Sequence, residues 1–257
     1  MRRLLIGIAL GFMALFVVVP LATVFASAFR DGISAYVHAL GDSEARSAIK
    51  LTLLVAAIAV PCNVVFGLAA AWAITRFQFP GKRVLVTVID LPFAVSPVIA
   101  GMLFVLLFGA RGWFPGSHIV FAVPGIVMVT TFVTVPFVAR ELIPALEARG
   151  PAQELAALTL GASPWQTFWR VTLPNVKLSL VYGAILCTAR AVGEFGAVSV
   201  VSGHIRGETN TVPLHVEILY NDFHYQAAFA VATVLVWIAL ATLVIEQALR
   251  WRMRRRR

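Results

Sequence analysis

The chain is poor in charge. Asp, Glu, Lys and Arg make up 13% of its 257 residues, about half the roughly 25% of an ordinary soluble domain. Cysteine occurs only as Cys62 and Cys187, each inside an apolar run. Two such thiols exclude a disulfide framework and a zinc spacing, and both read as small buried residues. No G-x-x-x-x-G-K-[ST] stretch is present, so the chain lacks the loop that cradles nucleotide phosphates. The histidines His38, His118, His204, His215 and His224 have no H-E-x-x-H pattern or carboxylate cluster beside them. That argues against a metal centre and places them near the outer surface. No Ser-, Gly- or Pro-rich linker and no repeat divides the chain, so a single domain over 1–257 is expected.

Apolar residues are abundant, at 60% of the chain. A soluble fold of this size cannot hide that much apolar surface, and a large buried α/β enzyme would carry about twice the charge. A helix crosses the hydrocarbon of a bilayer with about 20 apolar residues. Stretches near 4–28, 49–75, 84–109, 119–138, 178–201 and 227–249 qualify, which predicts an all-α membrane protein of six transmembrane helices. The first stretch follows Arg2 and Arg3, and its Ala26-Ser27-Ala28 resembles a signal-peptidase site. A signal's apolar region is about 7–15 residues long, shorter than this run, so a retained anchor is expected.

The net charge of +9 can mark a nucleic-acid binder, but here the cations lie between apolar runs. With the amino terminus inside, the inner segments hold Arg2, Arg3, Arg76, Lys82, Arg83, Arg140, Arg149, Arg170 and Lys177. The tail adds Arg250, Arg252, Arg254, Arg255, Arg256 and Arg257. The outer segments hold Arg30, Arg46, Lys50, Arg111 and Arg206. This bias predicts that both termini are cytoplasmic. The tail also suits anionic lipid heads, and no nucleic acid is expected as a partner.

One inner loop, 139–177, is long and orderly. Residues 153–160 are rich in helix formers. Gly161 stands where a helix stops, Ser163 offers an N-cap oxygen and Pro164 suits a first helical position. A second short helix is expected over 164–170, ended by Leu173-Pro174. A helical hairpin of this kind either rests on lipid heads or docks a cytoplasmic partner, and the residues alone leave both open.

Leu155-Ala156-Ala157, then three residues, Gly161, nine residues and Val171-Thr172-Leu173-Pro174 resemble the EAA loop of ABC importer permeases. Leu155 stands where that pattern has glutamate, with Glu154 one residue before. The resemblance implies a type I ABC importer transmembrane domain with its core at about 47–249 and a cytoplasmic coupling loop. It also implies ATPase-coupling roles for Glu154, Leu155, Ala156, Ala157, Gly161, Ala162 and Ser163. The stretch 188–232 resembles the sulfate/thiosulfate importer permeases of the CysW type. Ser202-Gly203-His204-Ile205-Arg206-Gly207, Thr209-Asn210-Thr211 and Pro213-Leu214-His215-Val216-Glu217-Ile218-Leu219-Tyr220 carry most of that likeness. Molybdate permeases and the sister sulfate permease share the Gly-Glu-aromatic-Gly core but differ after it. The implied partners are two cytoplasmic ATP-binding subunits, a second related permease, a periplasmic sulfate-binding protein and membrane lipid. The implied chain binds no cofactor; ATP and magnesium belong to the partner ATPase. An ion-coupled secondary transporter is the rival, and it would want more carboxylates in the membrane.

Ionisable groups within spans are costly and default to functional candidates. Arg190 and Glu194 are spaced i and i+4, on one face of a continuous helix. They are either a neutralising packing pair or a lining of the pathway, in which case Arg190 must mask Glu194 from an anion. Gly193 and Gly196 flank Glu194 and permit close approach or a hinge. Asp90 is expected to bond backbone freed by Pro92, and Pro92 and Pro97 to kink the third span. Ser96 and Asn63 are further candidates for the pathway.

Overall fold

The computed structural model describes residues 1–254; Arg255, Arg256 and Arg257 of the basic tail lie outside the described residues. Among the described residues every regular element is helical. In chain order they are α1 Arg2–Ala28, α2 Gly32–Gly41, α3 Ser43–Arg76, α4 Lys82–Ala94, α5 Pro97–Phe108 and α6 Val123–Arg149. There follow α7 Ala152–Thr159, α8 Pro164–Val192, α9 Gly196–Val201, α10 Val212–Asn221 and α11 Tyr225–Arg254. Helix starts are written in the sequence. Asp42 Oδ2 accepts from the backbone N–H groups of Glu44 and Ala45 at 2.9 and 3.3 Å to open α3. Proline occupies the first turn of α5, α6, α8 and α10, where its missing N–H costs nothing.

Five helices are long and apolar enough to cross a membrane, and six if α4 and α5 count as one broken span. The third expected span is therefore not one kinked helix. Its halves meet at 111°. The break falls after Ala94, while Pro92 stays inside α4 and Pro97 opens α5. A proline disfavours helical conformation in the residue before it, and Ser96 accordingly adopts φ −58°, ψ 137°.

The fifth expected span differs at both ends. It starts at Pro164 rather than near 178 and ends at Val192, with α9 beyond the gap. Leu173-Pro174 does not stop it. Over Phe168–Thr172 the helix widens, and the Leu173 N–H reaches back to Phe168 O. A helical proline lacks one donor and its ring crowds the carbonyl four residues back; a wider turn just before it relieves both. Pro20 in α1 follows the same device, with the Val19 N–H on Ala14 O. The inner loop is correspondingly shorter than 139–177, because α6 continues to Arg149 on the buried Leu142 and Leu146.

The described residues form two compact units. In the first, Met1–Leu51 with Ile205–Ala239, a small core gathers Ala45, Ala48, Val212 and Val231. Gln226 Nε2 donates to Ala28 O at 2.9 Å, and Tyr36 and Thr233 hydroxyls lie 2.9 Å apart. His215 is buried here, and burial pushes its pKa down. In the second unit, Thr52–His204 with the described residues from Leu240, α3, α6 and α8 pack around Ala71, Val138, Leu142, Leu146, Val176 and Cys187. Cys62 is exposed, contrary to the expectation of two buried thiols, because it lies on the face of α3 opposite this core.

Candidate functional site

All of the candidate residues lie in the second unit, and most of them fall in two places. The first is the helical hairpin formed by α7 and the start of α8. Gly161 sits at φ +87°, and the Gly161 and Ala162 N–H groups bond Leu158 O and Ala157 O, each at 3.0 Å. These are the two bonds of a Schellman stop, which needs the left-handed conformation that glycine adopts cheaply. Two residues on, Ser163 Oγ accepts from the Gln166 N–H at 3.2 Å, while Gln166 Oε1 accepts from the Ser163 N–H at 2.9 Å. A capping box thus opens α8 directly after α7 closes.

The faces of α7 are distinct. Glu154 is 13% exposed and turns inward: its Oε2 is 2.6 Å from Arg76 Nε, and its Oε1 accepts from Thr172 Oγ1 at 2.8 Å. Ala157 is half-buried. Leu155, Leu158 and Leu160 are exposed, Leu160 by 89%, and Trp165 and Trp169 extend that apolar surface onto the start of α8. Ala156 and Ser163 are exposed beside it, and Ala162 is half-buried. Sequence reasoning missed Arg76 and Thr172 as members of this site. An arginine at the last residue of α3 was a usable signal, since cations seek the free carbonyls of helix ends. Trp72 packs on Phe168 with ring centroids 5.0 Å apart.

The second place is where two broken helices meet. α9 packs along α5 so closely that a Cβ on Gly196 would stand 3.2 Å from Pro97 Cβ. One on Gly101 would stand 2.7 Å from Ala197 O. The gap before α9 holds Gly193 and Glu194. Helix α8 has ended at Val192, so Arg190 and Glu194 do not share a helix face as expected. They pair across the helix end, Arg190 Nη1 to Glu194 Oε2 at 2.5 Å. Glu194 Oε1 accepts from the Ala197 N–H at 2.9 Å and so caps α9. Its side chain is 1% exposed and that of Arg190 is 32% exposed. The cation therefore offers donors outward while the carboxylate is hidden behind it. Ser96 is exposed at the other break, next to Pro97. Irregular backbone at membrane depth is tolerated only where protein buries it or an aqueous path adjoins it.

Two candidates stand elsewhere. Asn63 is fully buried, its Nδ2 donating to Thr134 Oγ1 at 2.7 Å and Thr131 O at 3.1 Å, which makes it a tie between α3 and α6. Asp90 does not bond backbone near Pro92. It accepts from Arg140 Nε at 2.7 Å, and that guanidinium lies 4.7 Å from the Phe93 ring. A full cation on α6 outcompetes a single peptide donor for the carboxylate.

The chain matches the family described as binding-protein-dependent transport system inner membrane component over residues 63–255. It is 50% identical to the sulfate transport system permease protein CysW of Synechocystis sp., covering 98% of this chain and 93% of that one. Identity to the sulfate transport system permease protein CysT of Escherichia coli K12 is 35%, over 98% and 93% of the two chains. A bacterial ABC transporter that imports the acidic polysaccharide alginate superposes with a TM-score of 0.78 at 19% identity, covering 99% of this chain and 94% of that chain.

Proposed function

Because the chain belongs to the inner-membrane components of binding-protein-dependent transport systems, we propose that it forms one half of a membrane path importing sulfate. It is a multi-pass membrane component of an ABC importer and not the ATPase. The substrate follows the relatives named for sulfate transport, with thiosulfate as a second oxyanion. The companion half is a second, related permease. Two cytoplasmic ATP-binding subunits bind ATP and magnesium, and a periplasmic sulfate-binding protein delivers the anion. This chain itself binds no cofactor. Both termini are cytoplasmic, and the chain acts as a single domain.

The observation that carries the reading is α7, a short helix closed at its C-terminus by the turn at Gly161 and set back on its own chain through Glu154, with Leu155, Leu158 and Leu160 facing out. A rigid helix passes on a displacement that a loose loop would absorb. The ATPases close on ATP, carry α7 with them, and the path opens first outward and then inward. The break between α8 and α9 suits the path: an outward Arg190 attracts a dianion while its pair with Glu194 keeps the site neutral overall.

The test is uptake of sulfate, thiosulfate and molybdate in cells lacking this chain, alongside purification of the tagged chain from its own membrane. Loss of sulfate uptake and recovery of an ATP-hydrolysing subunit are expected. Unchanged sulfate uptake with molybdate uptake lost would overturn the substrate, and a preparation free of ATPase would overturn the function.

A further inference from the structure

We propose that Glu154, Arg76 and Thr172 form an internal strut that carries the displacement of α7 into helices α3 and α8. Glu154 is then a positioning residue and not a contact for the ATPase. This rests on the reading of the chain as the membrane half of an ATP-driven importer.

The geometry is complete on every side of the carboxylate. Arg76 is the last residue of α3. Its Nε donates to Glu154 Oε2 at 2.6 Å, its Nη1 and Nη2 to Leu146 O at 3.3 Å each, and its Nη2 also to Gly150 O at 3.1 Å. One guanidinium therefore joins the end of α3, the last turn of α6 and the first turn of α7. The other carboxylate oxygen takes the Thr172 hydroxyl at 2.8 Å. Thr172 is buried and closes the widened turn Phe168–Thr172 of α8. Widened turns recur at functional positions; here the strut meets α8 at such a turn. In a parallel tie, Asn175 Nδ2 donates to Gln153 Oε1 at 2.5 Å.

Burial makes the strut stiff. Arg76 and Glu154 side chains are 10% and 13% exposed, so their bonds are charge-assisted and poorly hydrated. The outward face of α7 keeps only apolar and small side chains for a partner, with no free carboxylate at position 155. The two faces divide the work: leucines grip the partner, and the carboxylate pushes on the spans.

The experiment uses the whole transporter, with its ATPase, companion permease and binding protein, in vesicles. It reads sulfate imported per ATP hydrolysed and the amount of ATPase that copurifies. Glu154→Gln is near-isosteric and should keep the copurifying ATPase while sulfate per ATP falls about tenfold, within the span seen for coupling residues that touch no ligand. Thr172→Val leaves the ion pair intact and should lower the ratio about threefold. Adding Arg76→Gln to Glu154→Gln should lower the ratio no further, because the two act as one unit. A wild-type ratio in Glu154→Gln, or loss of ATPase in step with uptake, overturns the strut. Wild-type vesicles that move no sulfate with ATP overturn the importer reading itself and the strut with it.

Discussion

Arg190 and Glu194 were visible in the sequence as a pair, but their setting was not. The i, i+4 spacing belongs to a helix, and the helix ends between them. Gly193 alone did not announce the break. Glu194 is held by two obligations, the cation beside it and the first turn of α9 ahead of it. Removing one member of a buried ion pair leaves a charge without compensation, at a cost of about 3–5 kcal/mol, whereas removing both is far milder. Arg190→Leu alone should therefore sharply reduce the yield of folded protein, measured as monodisperse material in detergent. Arg190→Leu with Glu194→Met should recover most of that yield. Sulfate uptake by the double variant then separates the two roles: near-normal uptake assigns the pair to packing, and loss of uptake in well-folded protein assigns Arg190 to the path. Asn63 and Asp90 were singled out by the same rule on intramembrane polarity, and that rule does not distinguish a lining residue from a helix tie. Their partners, Thr131, Thr134 and Arg140, lie on α6, far along the chain and beyond the reach of local pattern.

At the level of elements, punctuation was legible where it is local. Gly161, Ser163 and Pro164 fall in their expected places because a Schellman stop and a capping box are each built from a few adjacent residues. Proline inside an apolar run was misread in both directions. Pro174 was expected to end a helix and is absorbed by a widened turn, whereas the third span, expected to kink at Pro92 and Pro97, breaks outright at Val95 and Ser96. The outcome depends on whether packing on a neighbour offsets the lost hydrogen bond, and α5 has such a neighbour in α9 through Gly101 and Gly196. The turn at Gly161 supports a sharper expectation. A Cβ there meets no atom within 4 Å, but φ is +87°, so a β-branched residue brings backbone strain of about 1–3 kcal/mol without a clash. Gly161→Val should leave membrane insertion and the yield of folded chain near normal, and reduce both copurifying ATPase and sulfate uptake, because the angle between α7 and α8 is lost. Near-normal uptake would show that the hairpin tolerates rearrangement and that α7 is not a rigid lever.

For the whole molecule, the distribution of cations governs how the chain sits in its membrane. Each Lys or Arg near an anionic inner surface is worth about 1 kcal/mol, and the segments proposed as inner carry three times as many of these cations as those proposed as outer. Inverting the chain would forfeit that difference, which exceeds the effect of any single loop. The break between α4 and α5 does not disturb the argument. The cations that flank it, Lys82 and Arg83 on one side and Arg111 on the other, keep the same bias if the bent pair spans as one. The proposed orientation puts α7 in the cytoplasm, as the strut and the ATPase both require, and the loop after α5 outside. One added cysteine at each of two exposed positions reports this directly: Thr159→Cys at the end of α7 and Ser117→Cys in the loop before α6. A membrane-impermeant maleimide added to spheroplasts should label Ser117→Cys at once and Thr159→Cys only after the membrane is opened. The parent chain, with Cys62 and Cys187 inside apolar segments, serves as the blank. Labelling of Thr159→Cys in sealed spheroplasts would put α7 on the wrong side of the membrane from any ATP-driven motor, and the coupling mechanism would fail with it.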